Sequence, residues 1–221
     1  MCGRYSLSFD DRFFTRFETS NTLELKSHYN VAPGQRMPVV VRHSPNTVEL
    51  MIWGFVPHWE NKKEKPKALI NLRDDTVVTK GWAHKYLQFQ RCLVPATGFF
   101  EWKKTAVGKK IPYHLRLKVR NYFSFAGLYN TYTSSQTGKQ INTYAILTTG
   151  PNALIEPIHH RMPVILSQEE EDAWLNPDLV EIEQIKLFLK PYPADQMTAH
   201  PVSTRVNYPG NDDPDVIKPL A

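Results

Sequence analysis

The stretch PYHLRLKVR (112–120) decides the reading of the fold. Its apolar residues Tyr113, Leu115, Leu117 and Val119 recur at every second position, the period of a strand with one buried face. Outward from it, VELMIWGFV (48–56), RCLVPATGFFEW (91–102), YFSFAGLYNTY (122–132), INTYAILTT (141–149) and MPVIL (162–166) alternate or are rich in β-formers. Seventeen prolines and ten glycines in 221 residues break the chain at short intervals, which favours short strands and turns over long helices. Three segments read as helix. FDDRFFTRFE (9–18) opens with acidic residues that suit a helix N-terminus. Ser167 and Glu170 have capping-box spacing ahead of EEDAWL. VEIEQIKLFLK (180–190) carries apolar residues at helical spacing and stops at Pro191. The expectation is an α+β fold, mostly antiparallel β-sheet, with a few peripheral helices.

An apolar content of 41% over this length is enough to bury a real core, and a single domain over residues 1–206 is expected. The tail NYPGNDDPDVIKPLA (207–221) is poor in apolar residues and reads as loosely ordered. No stretch of about 18 uncharged apolar residues exists, so no membrane span is expected. The segment MCGRYSLSFDDRFF lacks the basic, apolar and small-residue order of a secretory signal, and a cytoplasmic location is expected. Two cysteines, Cys2 and Cys92, are too few for a disulfide framework, and neither has a Cys or His at metal-ligand spacing. His159 and His160 are adjacent, so on a strand their rings would point to opposite faces. Neither a metal nor a cofactor is expected. The net charge of +5 and pI of about 9.1 suit a polyanionic partner. NKKEKPK (61–67) and KKTAVGKK (103–110) read as solvated loops, or as lysines near a nucleic-acid backbone.

The most reactive position is Cys2. A small second residue favours removal of Met1, which leaves a free α-amine and a thiol on adjacent carbons. Their unperturbed pKa values, about 7.7–8.0 and about 8.5, give both a reactive fraction near neutrality. An aldehyde meeting this pair forms a Schiff base with the amine. The thiol then closes a five-membered thiazolidine in an intramolecular step. Cys92, in RCLVP, reads as a small buried hydrophobe. Glu101 is flanked by Phe99, Phe100 and Trp102, and desolvation there would raise its pKa toward that of a general acid or base. The alternative is an exposed glutamate on a polar strand face. His159, beside an arginine and ahead of a buried strand, is suited to proton transfer or to a structural hydrogen bond. His160 should face away from it. Asn71 and Arg73 in ALINLRDDT are suited to a sugar hydroxyl or amine and to a phosphate, or else to a turn and a surface. Trp53 and Trp59 in WGFVPHW are candidates for stacking on bases, with core burial as the other reading.

Taken together, these residues resemble the SRAP family of SOS-response-associated peptidases, or abasic-site-processing proteins. The resemblance runs from MCGRYSL to HPVSTRVN through YNVAPGQ (29–35), WGFVPHW, INLRDDT (70–76), RCLVPATGFFEW, YAILTTGPN (144–152) and IHHRMPVIL (158–166). It implies a barrel-like fold and covalent capture of abasic sites in single-stranded DNA. Cys2 would form the crosslink, Asn71 would orient the amine and opened sugar, Glu101 would be the acid/base, and His159 would help open the deoxyribose. Arg4, Arg73 and Arg161 would lie near phosphates and Trp53 at the DNA groove. Lyase and autoproteolytic activities are also implied. The chain departs from the family pattern at Leu72, Asp75, Trp82 and His160. Nothing in the sequence demands more than a monomer. Two other functions fit the same residues: a thiol peptidase using Cys2 with Glu101 or His159 as base, and a non-covalent module for single-stranded DNA.

Overall fold

The computed structural model of the chain describes residues 2–43, 45–60, 63–119 and 121–220. The readings above that touch Met1, Asn61, Lys62, Arg120 or Ala221 lie outside the described residues. The strands are β1 (Tyr5–Leu7), β2 (His28–Val31), β3 (Arg36–Arg42), β4 (Asn46–Trp53), β5 (Asn71–Arg73), β6 (Arg91–Ala96), β7 (Gly98–Lys104), β8 (Lys110–Leu117), β9 (Phe123–Thr133), β10 (Gln140–Thr149), β11 (Met162–Pro163), β12 (Ile165–Leu166) and β13 (Met197–Pro201). The helices are α1 (Arg12–Arg16), α2 (Asp74–Thr79), α3 (Gly81–Phe89), α4 (Gln168–Leu175) and α5 (Ile182–Lys186).

Five of these strands close into a barrel. They run in the order β10, β4, β3, β6 and β9, and β9 pairs back onto β10 from Gln140↔Thr133 to Ile146↔Gly127. The β10–β4 seam is parallel and the other four are antiparallel. Closure leaves no exposed edge in the ring, and its staves are accordingly apolar, with all six residues of β6 buried. β5 adds to β10 in parallel, pairing Asn71 with Ile146. A second, wholly antiparallel sheet has the order β13, β8, β7, β1 and β2. One continuous core joins the two, including Tyr5, Phe99 and Leu115 from the sheet and Trp53, Phe125 and Tyr144 from the barrel.

RCLVPATGFFEW, read as one run, is two strands in two sheets. The chain leaves the barrel at Ala96 and enters the sheet at Gly98, with the Thr97 amide donating to the Ser6 carbonyl at 2.8 Å. Gly98 is required here, because a Cβ would sit 2.2 Å from His114 Nε2. In PYHLRLKVR the alternation places Leu115 and Leu117 in the main core, but Val119 lies beyond the end of β8 and is 94% exposed. The capping box at Ser167 and Glu170 forms as its spacing predicts. The other two expected helices are shorter than their patterns, and α2 and α3 were not foreseen.

The expectation of a loosely ordered tail is corrected. Val216 is fully buried with Phe100, Val202 and Val206 on the outer face of the second sheet. Asp212 carboxylate oxygens accept from the backbone amides of Tyr29 at 2.5 Å and Asn30 at 2.9 Å, and pair with His28 Nδ1 at 2.6 Å. One buried valine and one well-placed carboxylate anchor a segment whose mean composition signals disorder. Asp212→Ala is therefore expected to cost roughly 2–3 kcal/mol of stability by leaving two amides unsatisfied. Urea denaturation checks it, and an unchanged midpoint would show that the tail contributes nothing.

Candidate active site

Strand pairing delivers the N-terminal residues to the site. β1 pairs antiparallel with β7 in the register Tyr5↔Phe99 and Ser6↔Gly98, and the Phe100 amide donates to the Arg4 carbonyl at 3.0 Å. Beyond this pairing, Cys2 is buried in the main core in the neighbourhood of Glu101. From the barrel side, Asn71 on β5 reaches the same segment, and its Nδ2 donates to the Cys2 carbonyl at 2.8 Å. Asn71 Oδ1 is buried and accepts no hydrogen bond among the described residues. An acceptor left open beside Cys2 suits an incoming amine or hydroxyl.

Glu101 is 2% exposed, and burial raises its carboxyl pKa to about 7. The alternation of β7 explains this: Phe99 and Glu101 share the inward face, while Phe100 packs outward with the tail. Cys2 is fully buried, and its thiol is pushed well above the usual range, first by burial and then by the neighbouring Glu101 charge. His159 Nδ1 lies 4.0 Å from Glu101 Oε1. Burial is the main cause that lowers the His159 pKa. The structure thus gathers Cys2, Asn71, Glu101 and His159, from four separate stretches of chain, into one cluster. Such a cluster can hold and move a proton near neutral pH, because none of its titratable groups is held strongly in its charged form.

The arginines and aromatics are placed differently from one another. Arg4 Nη1 donates to Asn30 Oδ1 at 3.0 Å and to the Val206 carbonyl at 2.8 Å. Arg73 is half exposed and paired with Asp75. Arg161 is buried in an ion pair with Asp74 at 2.7 Å and also donates to the Thr148 carbonyl. That pair ties the segment just after Asn71 to the segment just after His159, so these partners, and not an open surface, hold Arg161. Asp74 is the residue that sequence reasoning missed, and nothing in its spacing signals a partner 87 residues away.

Trp53 corrects an expectation. It has no exposed face to offer a base, because it is fully buried between Tyr5 and Tyr144. Its indole Nε1 donates to the Ile70 carbonyl at 2.8 Å, so it braces the residue that precedes Asn71. The accessible aromatic of WGFVPHW is Trp59, 44% exposed and edge-on to Trp82 at 4.8 Å. His160 corrects another. Residues 158–160 are not on a strand, and the His159 and His160 rings stack at 4.4 Å with 29° between their planes. Among the described residues, no three His, Cys, Asp or Glu side chains come together to hold a metal ion, and no helix is long and apolar enough to cross a membrane.

Fold and site together define a barrel-and-sheet protein whose chemistry-bearing side chains gather at the second residue of its own chain. The chain belongs to the SRAP family, SOS response associated peptidase, whose model matches residues 1–209. It is 39% identical over 224 residues to the protein named abasic site processing protein YoqW of Bacillus subtilis (strain 168), covering 99% of each. It is 36% identical to YoaM of the same strain, over 98% of this chain and 97% of that one. A crystallised protein from Bacteroides thetaiotaomicron is similar in structure, with a TM-score of 0.88 at 30% identity over 100% of both chains.

Burial of Glu101 has a thermodynamic consequence. Its folded pKa lies above its unfolded value, so its contribution to stability is full below about pH 4.5 and is lost as pH rises through about 7. Glu101→Gln keeps the shape and removes the charge. It is expected to leave stability unchanged at the acid end and to raise it by roughly 3 kcal/mol well above neutrality. Thermal melts across that range check this, and an equal effect at every pH would contradict it.

Proposed function

We propose that the chain processes abasic sites in single-stranded DNA by capturing them covalently through Cys2. The observation that carries the reading is the convergence on Cys2 of the Asn71 amide and a buried Glu101 carboxyl that titrates near neutrality. The names of the relatives, abasic site processing proteins, support it.

The reaction begins with loss of residue 1, which turns the Cys2 amide into an amine. Cys2 and Glu101 are the groups that would perform that cleavage autoproteolytically. The deoxyribose ring opens with His159 handling the proton, and the C1′ aldehyde is exposed. The Cys2 amine adds to C1′. Glu101, as the neutral acid, protonates the departing hydroxyl, and water leaves as the Schiff base forms. The thiol then adds to the same carbon and yields its proton to the Glu101 carboxylate, closing the thiazolidine. Aldehyde and aminothiol are consumed, and one water is released. The raised thiol pKa fits this order, because the sulfur stays a thiol until an electrophilic imine lies beside it. Asn71 orients the amine and sugar through its open carbonyl oxygen. A Schiff base that stalls before closure undergoes β-elimination of the 3′ phosphate, which is the associated lyase activity. Arg4 and Arg73 contact phosphates. Arg73 exchanges its exposed partner Asp75 for phosphate, so binding weakens with salt. DNA is a partner, no cofactor takes part, and a monomer suffices.

Denaturing gels with abasic and intact oligonucleotides test this reading against peptide turnover and against non-covalent binding. Only covalent capture leaves a shifted band specific to the abasic strand. Cys2→Ala, taken as the species whose intact mass shows residue 1 removed, keeps the amine and loses the thiol, so its adduct is expected to hydrolyse on heating while the parent's persists. Equal durability of the two adducts would exclude the thiazolidine. Asn71→Ala is expected to slow capture by on the order of tenfold to a hundredfold through loss of orientation. Crosslinking at the parent rate would remove Asn71 from the mechanism.

A further inference from the structure

The proton-handling histidine does not stand alone. His159 lies at the end of a tight turn, where the His159 amide donates to the Ile155 carbonyl at 2.8 Å. The Arg161 backbone meets His159 Nδ1 with both of its groups: the amide nitrogen at 3.1 Å and the carbonyl oxygen at 3.0 Å. A neutral Nδ1 accepts from that amide, and a protonated Nδ1 donates to that carbonyl. Either protonation state therefore finds a partner in place, as a group that takes up and releases a proton requires. One face of the His159 ring is covered by the exposed ring of His160 at 4.4 Å and 29°. This arrangement follows from the turn. On a strand the two side chains would diverge, whereas here the chain bends between residues 158 and 161 before β11 begins.

We propose that His160 is a positioning residue for His159: its stacked ring fixes the orientation in which His159 faces Glu101 and opposes a second positive charge on the pair. The role rests on the reading of His159 as the histidine that opens the sugar. Among the described residues, the charged groups around His159 are Glu101 from β7, Lys110 from β8 and Arg161 on the same segment. Lys110 and His160 both act against protonation of His159, and Glu101, as a carboxylate, acts for it. Of these groups, His160 also supplies a flat surface against the ring. Two aromatic faces at this spacing restrict rotation about the ring's second torsion, which is otherwise broad. A charge on His160 makes a charge on His159 costlier, so removal of the His160 charge eases protonation of His159.

The test uses His160→Phe, which keeps a flat ring and loses the charge, and His160→Ala, which loses both. His160 is exposed, so both variants are expected to fold, and their melting temperatures are compared with the parent's. The first readout is the imidazole titration of His159 by NMR in the DNA-free protein, which needs no reaction. Both variants are expected to move the His159 midpoint to higher pH. The second is the single-turnover crosslinking rate against pH with an abasic single strand. In both variants the acid limb, where His159 becomes protonated, is expected to move to higher pH. The maximal rate is expected to stay within about twofold for His160→Phe and to fall several-fold for His160→Ala. An unmoved His159 midpoint in His160→Phe overturns the effect of His160 on His159 protonation. Equal maximal rates in the parent and His160→Ala overturn the positioning. If the variants shift the His159 midpoint but the parent forms no abasic crosslink, the proposed function falls instead, and the effect of His160 on His159 stands.

Discussion

The antiparallel pairing of β1 with β7 is the constraint on which the site depends. Backbone hydrogen bonds fix register to the residue, and a slip by one would turn every side chain to the opposite face. In the observed register, Tyr5 faces the core with Phe99, and the Phe100 amide donates to the Arg4 carbonyl just ahead of it. The Asn71 amide then holds the Cys2 carbonyl from the barrel side. Two independent elements therefore fix a chain end, the part of a protein that is most often loose. In the core, Trp53 stacks on Tyr144 and meets Tyr5 edge-on, with the Tyr5 and Tyr144 hydroxyls 2.8 Å apart.

Burial by this wall acts on three groups in the same sense, since it penalises charge whatever its sign. The Glu101 carboxyl rises to about 7, the Cys2 thiol rises and the His159 imidazole falls. The outcome is a site in which thiol and imidazole favour their neutral forms near neutral pH and the carboxyl is divided between both of its forms. Small changes in partner or occupancy then move a proton between them, which is what chemistry at a carbonyl carbon requires. The Asp74–Arg161 ion pair adds the geometric counterpart, because it joins the strand that carries Asn71 to the turn that carries His159.

Much of this was legible in the chain. The period of PYHLRLKVR, the apolar runs and the frequent prolines indicate short strands and an α+β fold, and the capping box at Ser167 appears as its spacing requires. The resemblance to the SRAP family, carried by strings spread along the chain, names Cys2, Asn71, Glu101 and His159 before any contact is known. Where reading by position failed, a neighbour distant in sequence was responsible. Trp53 looks like a residue available for stacking until Tyr5 and Tyr144 close over it. The tail looks loose by composition, yet Asp212 and Val216 find partners on β2 and β7. His160 was expected to face away because a strand was assumed where the chain turns.

The sequence by itself determined which groups exist and their intrinsic chemistry: a thiol at residue 2, a carboxyl among aromatics, an amide and an imidazole. It also set the local preferences for strand, turn and cap, because these depend on residues a few positions apart. Only the tertiary structure decided which of those groups meet, how dry their surroundings are and which side chains are already committed elsewhere. Proximity and desolvation arise from contacts between segments tens of residues apart, and no local pattern encodes them.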